Sequence, residues 1–327
     1  MIQKITLVSF DHWNYDQFIV KELNKKGIIA NHIKIGAFKH KNILEKVKNT
    51  LSKIFLDKNP KLKKRQEYII TSLKKLGLQD QILIINPELI DLEFHLEIKK
   101  YTNKYIAYLY DSVARCPVNH LLNGVFDSIY SFDKNDINKY GFRCTNNYNY
   151  IDNLMIDKDV TIKNDILYVA SFDNRMKIVQ DFKYLFKEID LNFRAIIIGK
   201  KTILFKLKNL FSDKIKGLEL RKKRIDNSEL LKLYSETNVV LDIVRDHQVG
   251  LSFRVFEAMA LEKKLITNNA TILEFDFYNP NNILIIDEKM INIEKKFFET
   301  KYEPIDSKIF DNYTISSWVE NVFELKK

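Results

Sequence analysis

The chain alternates short β-branched apolar runs with longer stretches in which apolar residues recur every three or four positions. The first kind reads as buried strand and the second as amphipathic helix. Residues 5–10 (ITLVSF) form the first such run. A helical stretch over 14–26 follows, and Gly27 supplies its stop. The pattern continues with a strand at 28–35 and a long basic helical stretch at 41–76, interrupted by Pro60 and stopped by Gly77. A strand at 81–85, a helix at 90–101, strands at 105–110 and 128–132, and a helix at 134–140 before Gly141 complete the first half.

Residues 143–164 break the rhythm. Asn, Asp and Tyr crowd there and apolar periodicity fades, so the spacing predicts a linker. The alternation then restarts with a strand at 166–170, a helix at 176–189 and a strand at 193–198 ending at Gly199. A helix at 228–235, a strand at 239–243, a helix at 253–261 and strands at 265–267 and 283–286 follow. Residues 315–327 read as an amphipathic helix carrying Trp318, Val322 and Phe323. Strands separated by helices imply parallel βαβ units. The expectation is two doubly wound α/β domains, over 1–150 and 160–310, with a C-terminal helical segment over 311–327.

Length and composition suit this. At 327 residues the chain has room for two domains of roughly 150 residues each. The hydrophobic fraction of 46% supplies two cores and argues against bulk disorder. The net charge of +10 fits either a surface that attracts anions or a chain simply rich in lysine. Cys116 and Cys144 make no disulfide framework and fit a reducing, cytoplasmic setting. The apolar start is too short for a signal peptide, and no run approaches 18 apolar residues.

Several chemistries lack their motifs. The glycines show no GxGxxG, and no P-loop, HExxH, zinc-spaced Cys/His cluster or GxSxG elbow occurs. No cofactor and no metal are expected. No helix-turn-helix, RRM or KH pattern accompanies the basic charge, so nucleic acid is not an expected partner.

The most informative stretch is 239–268, VVLDIVRDHQVGLSFRVFEAMALEKKLITN. A buried strand ends in a polar loop containing His247. Gly250 permits a sharp turn or a close backbone approach, Ser252 is an N-cap candidate, and a helix begins at Phe253. Exposed amides at such a helix start favour an anion, for which a diphosphate is the natural occupant. Glu257, about one and a half turns into the helix, is placed to accept hydrogen bonds from a vicinal diol. Arg254 either adds charge at the phosphates or pairs with a local acid.

The segment GLSFRVFEAMALEKKLITNN resembles the nucleotide-sugar segment of GT-B-fold glycosyltransferases. It is most similar to bacterial lipopolysaccharide and capsule enzymes with a glycosyltransferase-family-1-like C-terminal domain. Gly250, Leu251, Glu257, Ala258 and Ile266 carry the match. The stretches ILYVAS at 166–171 with Arg175, AIIIG at 195–199, YIAYLYDSVARCP at 105–117 and FDSIYSFDKNDINKYG at 126–141 extend it. The resemblance implies two Rossmann-like domains facing across a cleft, with a C-terminal helix crossing back. It also implies sugar transfer from a nucleotide-diphosphate donor, without a metal, to a glycan or lipid-linked acceptor in surface polysaccharide synthesis. One feature departs from retaining members, which carry two acids in an E-x7-E arrangement. Val249 stands eight residues before Glu257, so retention of configuration is not implied.

On this reading Arg175, Lys200 or Lys201, His247, Gly250, Leu251, Ser252, Arg254 and Glu257 form the donor side. A base for the acceptor hydroxyl is sought at strand carboxyl ends, where parallel sheets hold ligands. His12 with Asp11, and Asp111, occupy such positions. The basic stretch 39–75, with KLKKR at 61–65, suits a peripheral contact with an anionic membrane face or a solvated helix surface. Two alternatives stay open: a basic nucleic-acid-binding α/β protein, and a GT-B protein that binds nucleotide sugars without transferring them or acts as an epimerase.

Overall fold

The computed structural model describes residues 2–11, 13–37, 60–152, 160–208, 218–245, 248–287 and 293–325. The chain divides into two compact units, 1–146 with 315–327 and 147–314.

The first unit runs β1 (Lys4–Ser9), α1 (Asp16–Lys25), β2 (Ile29–Lys34), α2 (Pro60–Leu76), β3 (Gln79–Ile85), α3 (Leu92–Lys99), β4 (Thr102–Leu109), β5 (Ser128–Ser131), α4 (Lys134–Tyr140) and β6 (Arg143–Cys144). Its sheet is parallel throughout, in the order β2-β1-β3-β4-β5-β6. Strand order reverses between β1 and β3, which makes their carboxyl ends the natural ligand position of this unit.

Alternation along β1 sends its side chains to two faces. Val8, Ile33, Ile82 and Ile84 join Ile69 and Leu73 of α2 and Ile98 of α3 in one core. On the sheet's register Ser9 stands beside Lys34, and Leu7 beside His32. Local signals set the helix ends. Asp133 accepts the Asn135 and Asp136 amides at the start of α4, and Gly141 closes it at φ 71°.

The second unit runs β7 (Asn164–Ser171), α5 (Met176–Glu188), β8 (Phe193–Ile198), α6 (Thr202–Lys208), β9 (Leu218–Arg221), α7 (Asn227–Ser235), β10 (Thr237–Asp242), α8 (Phe253–Ala260), β11 (Lys264–Thr267), β12 (Ile283–Ile285), α9 (Lys296–Glu299) and α10 (Ser307–Asp311). Its parallel sheet has the order β12-β11-β10-β7-β8-β9, the doubly wound order of dinucleotide-binding folds. Here the switch point lies between β7 and β10. Ile166, Tyr168, Ile197, Leu241 and Ile266 pack on Val179, Phe182 and Phe186 of α5.

The last helix, α11 (Ile315–Phe323), belongs to the first unit. Trp318, Val319, Val322 and Phe323 are buried, each contributing about 1.5–3 kcal/mol. Trp318 lies edge-on to Tyr108 at 5.2 Å, Lys26 pairs with Glu320 at 2.6 Å, and the Gln81 amide donates to the Phe323 carbonyl at 2.8 Å.

The stretch 143–164 differs from the expected linker. Arg143 and Cys144 form an edge strand, and residues 147–151 are buried within the second unit. Asn149 bridges to Thr314, and its side chain accepts the Ile151 amide at 2.8 Å. Asparagines that look like solvated loop in sequence here satisfy buried backbone groups.

Candidate functional site

At the second unit's switch point the loop 248–252 leads from β10 into α8. Its carbonyls are held from three directions. Thr271 Oγ1 donates to the Val249 carbonyl at 2.6 Å, Asn269 Nδ2 to the Gly250 carbonyl at 3.2 Å, and Asn147 Nδ2 to the Leu251 carbonyl at 2.9 Å. In a trans peptide the carbonyl and the next N–H point in opposite directions. The amides of Gly250, Leu251 and Ser252 therefore face away from these anchors, and none has an acceptor among the described residues. Three amides without an acceptor, just ahead of a helix N-terminus, make this loop a candidate anion cradle.

The chain bends at Gly250. Among the described residues, Gly250 is not one of the glycines at positive φ. Ser252 holds the N-cap position, but its hydroxyl donates to Asp242 Oδ1 at 2.8 Å and caps no helix amide.

Asp242, fully buried at the end of β10, also receives Arg254 Nε at 2.8 Å and Thr267 Oγ1 at 3.3 Å. Arg254 thus takes the local-acid alternative and is a strut beneath the cradle. Burial disfavours its charge, but Asp242, with Tyr168 and Tyr234, outweighs that and raises its pKa.

Arg175 lies beside the cradle. Its Nη2 pairs with Asp173 at 2.6 Å, its Nε donates to the same carboxylate at 2.9 Å, and its Nη1 donates to the Ile243 carbonyl at 2.6 Å. Arg245 reaches Asp173 Oδ2 at 3.0 Å. Asp173 is thus flanked by two guanidiniums, which hold its carboxyl below its ordinary range against the opposing effect of burial. Two arginines on one acid leave net positive charge at this strand end. Lys200 is exposed after β8 and has no ion-pair partner among the described residues.

Glu257 is not the open carboxylate expected. It is 1% exposed, and the hydroxyls of Tyr150 and Tyr234 donate to its two oxygens at 2.6 and 2.9 Å. Tyr148, two residues before Tyr150, packs edge-on against Phe253 at 5.2 Å. Residues 147–150 thus clamp the segment that begins α8. His247 lies outside the described residues, as does His12.

In the first unit the carboxyl ends of β1, β2 and β4 gather a second polar cluster. Asp11, at φ 48°, accepts the Asp16 amide at 3.1 Å and pairs with Lys34 at 3.0 Å. It caps α1 from outside. Asp16 is buried, and the Tyr110 hydroxyl donates to its Oδ1 at 2.6 Å. Ser9 Oγ and His32 Nε2 are 2.8 Å apart. Burial, reinforced by Asp11, pushes the Asp16 carboxyl up to about 7 against the help of Ser9, Tyr110 and Lys34. Burial pulls His32 down to about 4, with Lys34 adding to it and Asp11 opposing. Asp16 Oδ2 and His32 Nδ1 are buried without hydrogen-bond partners.

Asp111 sits apart from this cluster and pairs with Arg115 at 3.1 Å. Burial, together with Glu88 and Asp111, pushes the Cys116 thiol up to about 12.

Sequence reasoning missed Asn147, Tyr150, Tyr234, Asn269 and Thr271, whose partners lie far away in the chain. The register of β1 on β2 sets Ser9 beside Lys34 and Leu7 beside His32, so His32 is a diagonal neighbour of Ser9. Among the described residues, no group of three or more His, Cys, Asp or Glu side chains is placed to hold a metal ion.

No protein-family model matches the chain, and no curated protein matches it by sequence. Solved structures do match. The UDP-forming α,α-trehalose-phosphate synthase of Burkholderia xenovorans is similar at TM-score 0.64 and 11% identity, over 99% of this chain and 98% of that one. AviGT4, a glycosyltransferase involved in avilamycin A biosynthesis, is similar at TM-score 0.61 and 9% identity, over 98% and 96%. Staphylococcus aureus MnaA, solved with UDP, is similar at TM-score 0.55 and 14% identity, over 99% and 98%. Two parallel six-stranded α/β sheets, matched along nearly the whole chain, make this the GT-B fold.

Proposed function

We propose that this protein is a glycosyltransferase. It takes a sugar from a nucleotide-diphosphate donor and passes it to a glycan or lipid-linked acceptor in bacterial surface polysaccharide synthesis. The observation that carries the reading is the loop 249–252, whose carbonyls are anchored inward so that three amides are free for a diphosphate. Arg175 and Arg245 add positive charge beside it.

In the reaction the bond from the anomeric carbon to the β-phosphate oxygen breaks, and the acceptor oxygen bonds to that carbon. The nucleoside diphosphate leaves and the acceptor's proton passes to a base. Charge grows on the β-phosphate, so amides fixed before the reaction lower the barrier most. The reading calls for no metal, because the cradle and the guanidiniums meet that charge. Glu257, held by the Tyr150 and Tyr234 hydroxyls, fixes the start of α8 behind the loop. His12 with Asp11, Asp111 and the Asp16–His32 cluster are the base candidates. One similar structure solved with UDP and another named as a UDP-forming synthase make UDP-sugars the first donors to test.

The exposed lysines of α2, Lys63, Lys64, Lys74 and Lys75, support a peripheral contact with an anionic membrane face. The rest of the basic stretch, 39–59, lies outside the described residues. Among the described residues no helix is long and apolar enough to cross a membrane.

A thermal-shift panel of UDP-, GDP-, CMP- and ADP-sugars, followed by transfer assays on glycan acceptors, tests the reading. One donor class raises the melting temperature, by about 2.7 kcal/mol of stabilisation at one hundred times Kd. A flat panel together with no transfer from any donor ends the proposal.

A further inference from the structure

On the α2 side of the first sheet, at the ends of β1, β2 and β3, lies a pocket of about 200 Å³. Phe10, Ile35, Leu62 and Ile69 line it, with Arg65 and Glu88 as its charged residues. Arg65 belongs to the basic run 61–65, but the helix turns it inward. Leu62, Arg65 and Ile69 share one helical face at spacings of three and four, while Lys63 and Lys64 are exposed.

The guanidinium carbon of Arg65 stands 4.9 Å from the centre of the Phe10 ring. Its Nε is sealed from solvent and has no hydrogen-bond partner, and it makes no ion pair among the described residues. A ring face attracts a cation but accepts little from five N–H donors arranged as a fork. The polar neighbours do not supply the missing acceptor. Gln66 is engaged twice with Asp91, donating to its carboxylate at 2.8 Å and accepting its amide. Glu88 takes Asn86 Nδ2 at 3.3 Å and is not paired with Arg65. Burial raises the Glu88 carboxyl above its ordinary range, with Asp111 adding to the effect. Desolvation likewise lowers the pKa of Arg65, as for a cation lacking its counter-ion.

We propose that this pocket binds a ligand bearing one phosphate or carboxylate group on an apolar body, with Arg65 as the partner of the anion. The apolar lining takes the body, and the fork of Arg65 takes two oxygens. The inference does not rest on the donor site and stands or falls whether or not the chain transfers sugar.

Calorimetric titration of the full chain with octyl phosphate, octanoate, inorganic phosphate and 1-octanol tests it. Sedimentation with phosphatidate-containing and with pure phosphatidylcholine vesicles separates a lipid source from a soluble one. Octyl phosphate is expected to bind, and 1-octanol at least tenfold more weakly. Arg65→Gln loses at least tenfold of octyl phosphate affinity, and Arg65→Lys recovers part of it. Leu62→Trp, which fills the pocket and keeps the charge, gives a second loss should Arg65→Gln not fold. Vesicle binding that vanishes with Arg65→Gln identifies a lipid phosphate, and octyl phosphate binding without vesicle binding identifies a soluble ligand. No binding of any anion or vesicle, or equal binding by wild type and Arg65→Gln, overturns the proposal.

Discussion

The two units place their polar groups at the same topological position and treat them in opposite ways. At the ends of β7 and β10 Asp173, Arg175, Asp242, Arg245 and Arg254 each have a partner, although two arginines share Asp173. Asp242 holds Arg254, Ser252 and Thr267, and Asp173 holds Arg175 and Arg245. What remains open there is backbone, the amides of Gly250 to Ser252. At the ends of β1 to β4 the side chains are left open. Asp16 Oδ2, His32 Nδ1 and Arg65 Nε are buried without partners. The difference teaches that a cradle of amides needs a stiff ionic frame behind it, since amides bind well only when their direction is set beforehand. Open side chains instead keep a desolvation cost that a ligand or a proton relieves.

The sharpest way to break this contrast is to remove the frame. Asp242→Ala leaves Arg254 buried without its acid and is expected to cost about 3–5 kcal/mol, read by urea denaturation. A loss below 1 kcal/mol would show that the frame is not under the tension described.

The first unit gives a signed pH test. Asp16 has its folded pKa raised from 3.8 to about 7. Its favourable contribution is complete below pH 4 and is lost as pH rises to 7. His32 has its folded pKa lowered from 6.5 to about 4. Its contribution is complete above pH 6.5 and is lost as pH falls to 4. The slopes oppose each other between pH 4 and 6.5, so wild-type stability is nearly flat there. Asp16→Asn removes one slope and yields a protein that gains stability with pH through that window. At pH 8 it is up to about 4 kcal/mol more stable than wild type. His32→Gln shows the reverse slope. Denaturation midpoints between pH 4 and 8 decide it, and identical profiles for the three proteins refute it.

Arg175→Ala tests the charge beside the amides. A loss of about 10²–10³-fold in kcat, near 3–4 kcal/mol, is expected if it meets the leaving diphosphate. A change in KM alone would assign it to ground-state binding. The smallest effect is on the loop anchors. Asn147→Ala removes the hydrogen bond to the Leu251 carbonyl, about 0.5–1.5 kcal/mol. Asn269→Ala removes its bonds to the Gly250 carbonyl and to Thr271 as well. Both, measured by thermal melting, weaken donor binding more than they weaken the fold. Equal losses in both would make the anchors merely structural.

Much of the scaffold was legible beforehand because its signals are local. The helix at 134–140 reads from its acid cap and glycine stop, and both occupy those roles. The strand Leu218–Arg221 was not legible. It is a half-buried edge strand whose Glu219 pairs across to Arg194 and whose Arg221 pairs with Glu229, so no apolar run marks it. The neighbouring helix Thr202–Lys208 keeps Ile203, Leu204 and Leu207 exposed, which blurs its period. At the site, Gly250, Ser252 and Arg254 were placed on the right segment. Their duties were not readable, because each depends on Asp242, Asn269 or Asn147.

The sequence by itself determined two doubly wound parallel sheets, since hydrophobic periodicity and stop signals act over a few residues. Tertiary structure alone decided which polar groups are spent on the fold and which are open to a ligand. Tyr150 reaches Glu257 from 107 residues away, and Asn147 reaches Leu251 from 104. Hydrogen bonding of buried polar groups is settled by whatever partner the packed chain brings within about 3 Å, and no local pattern encodes that.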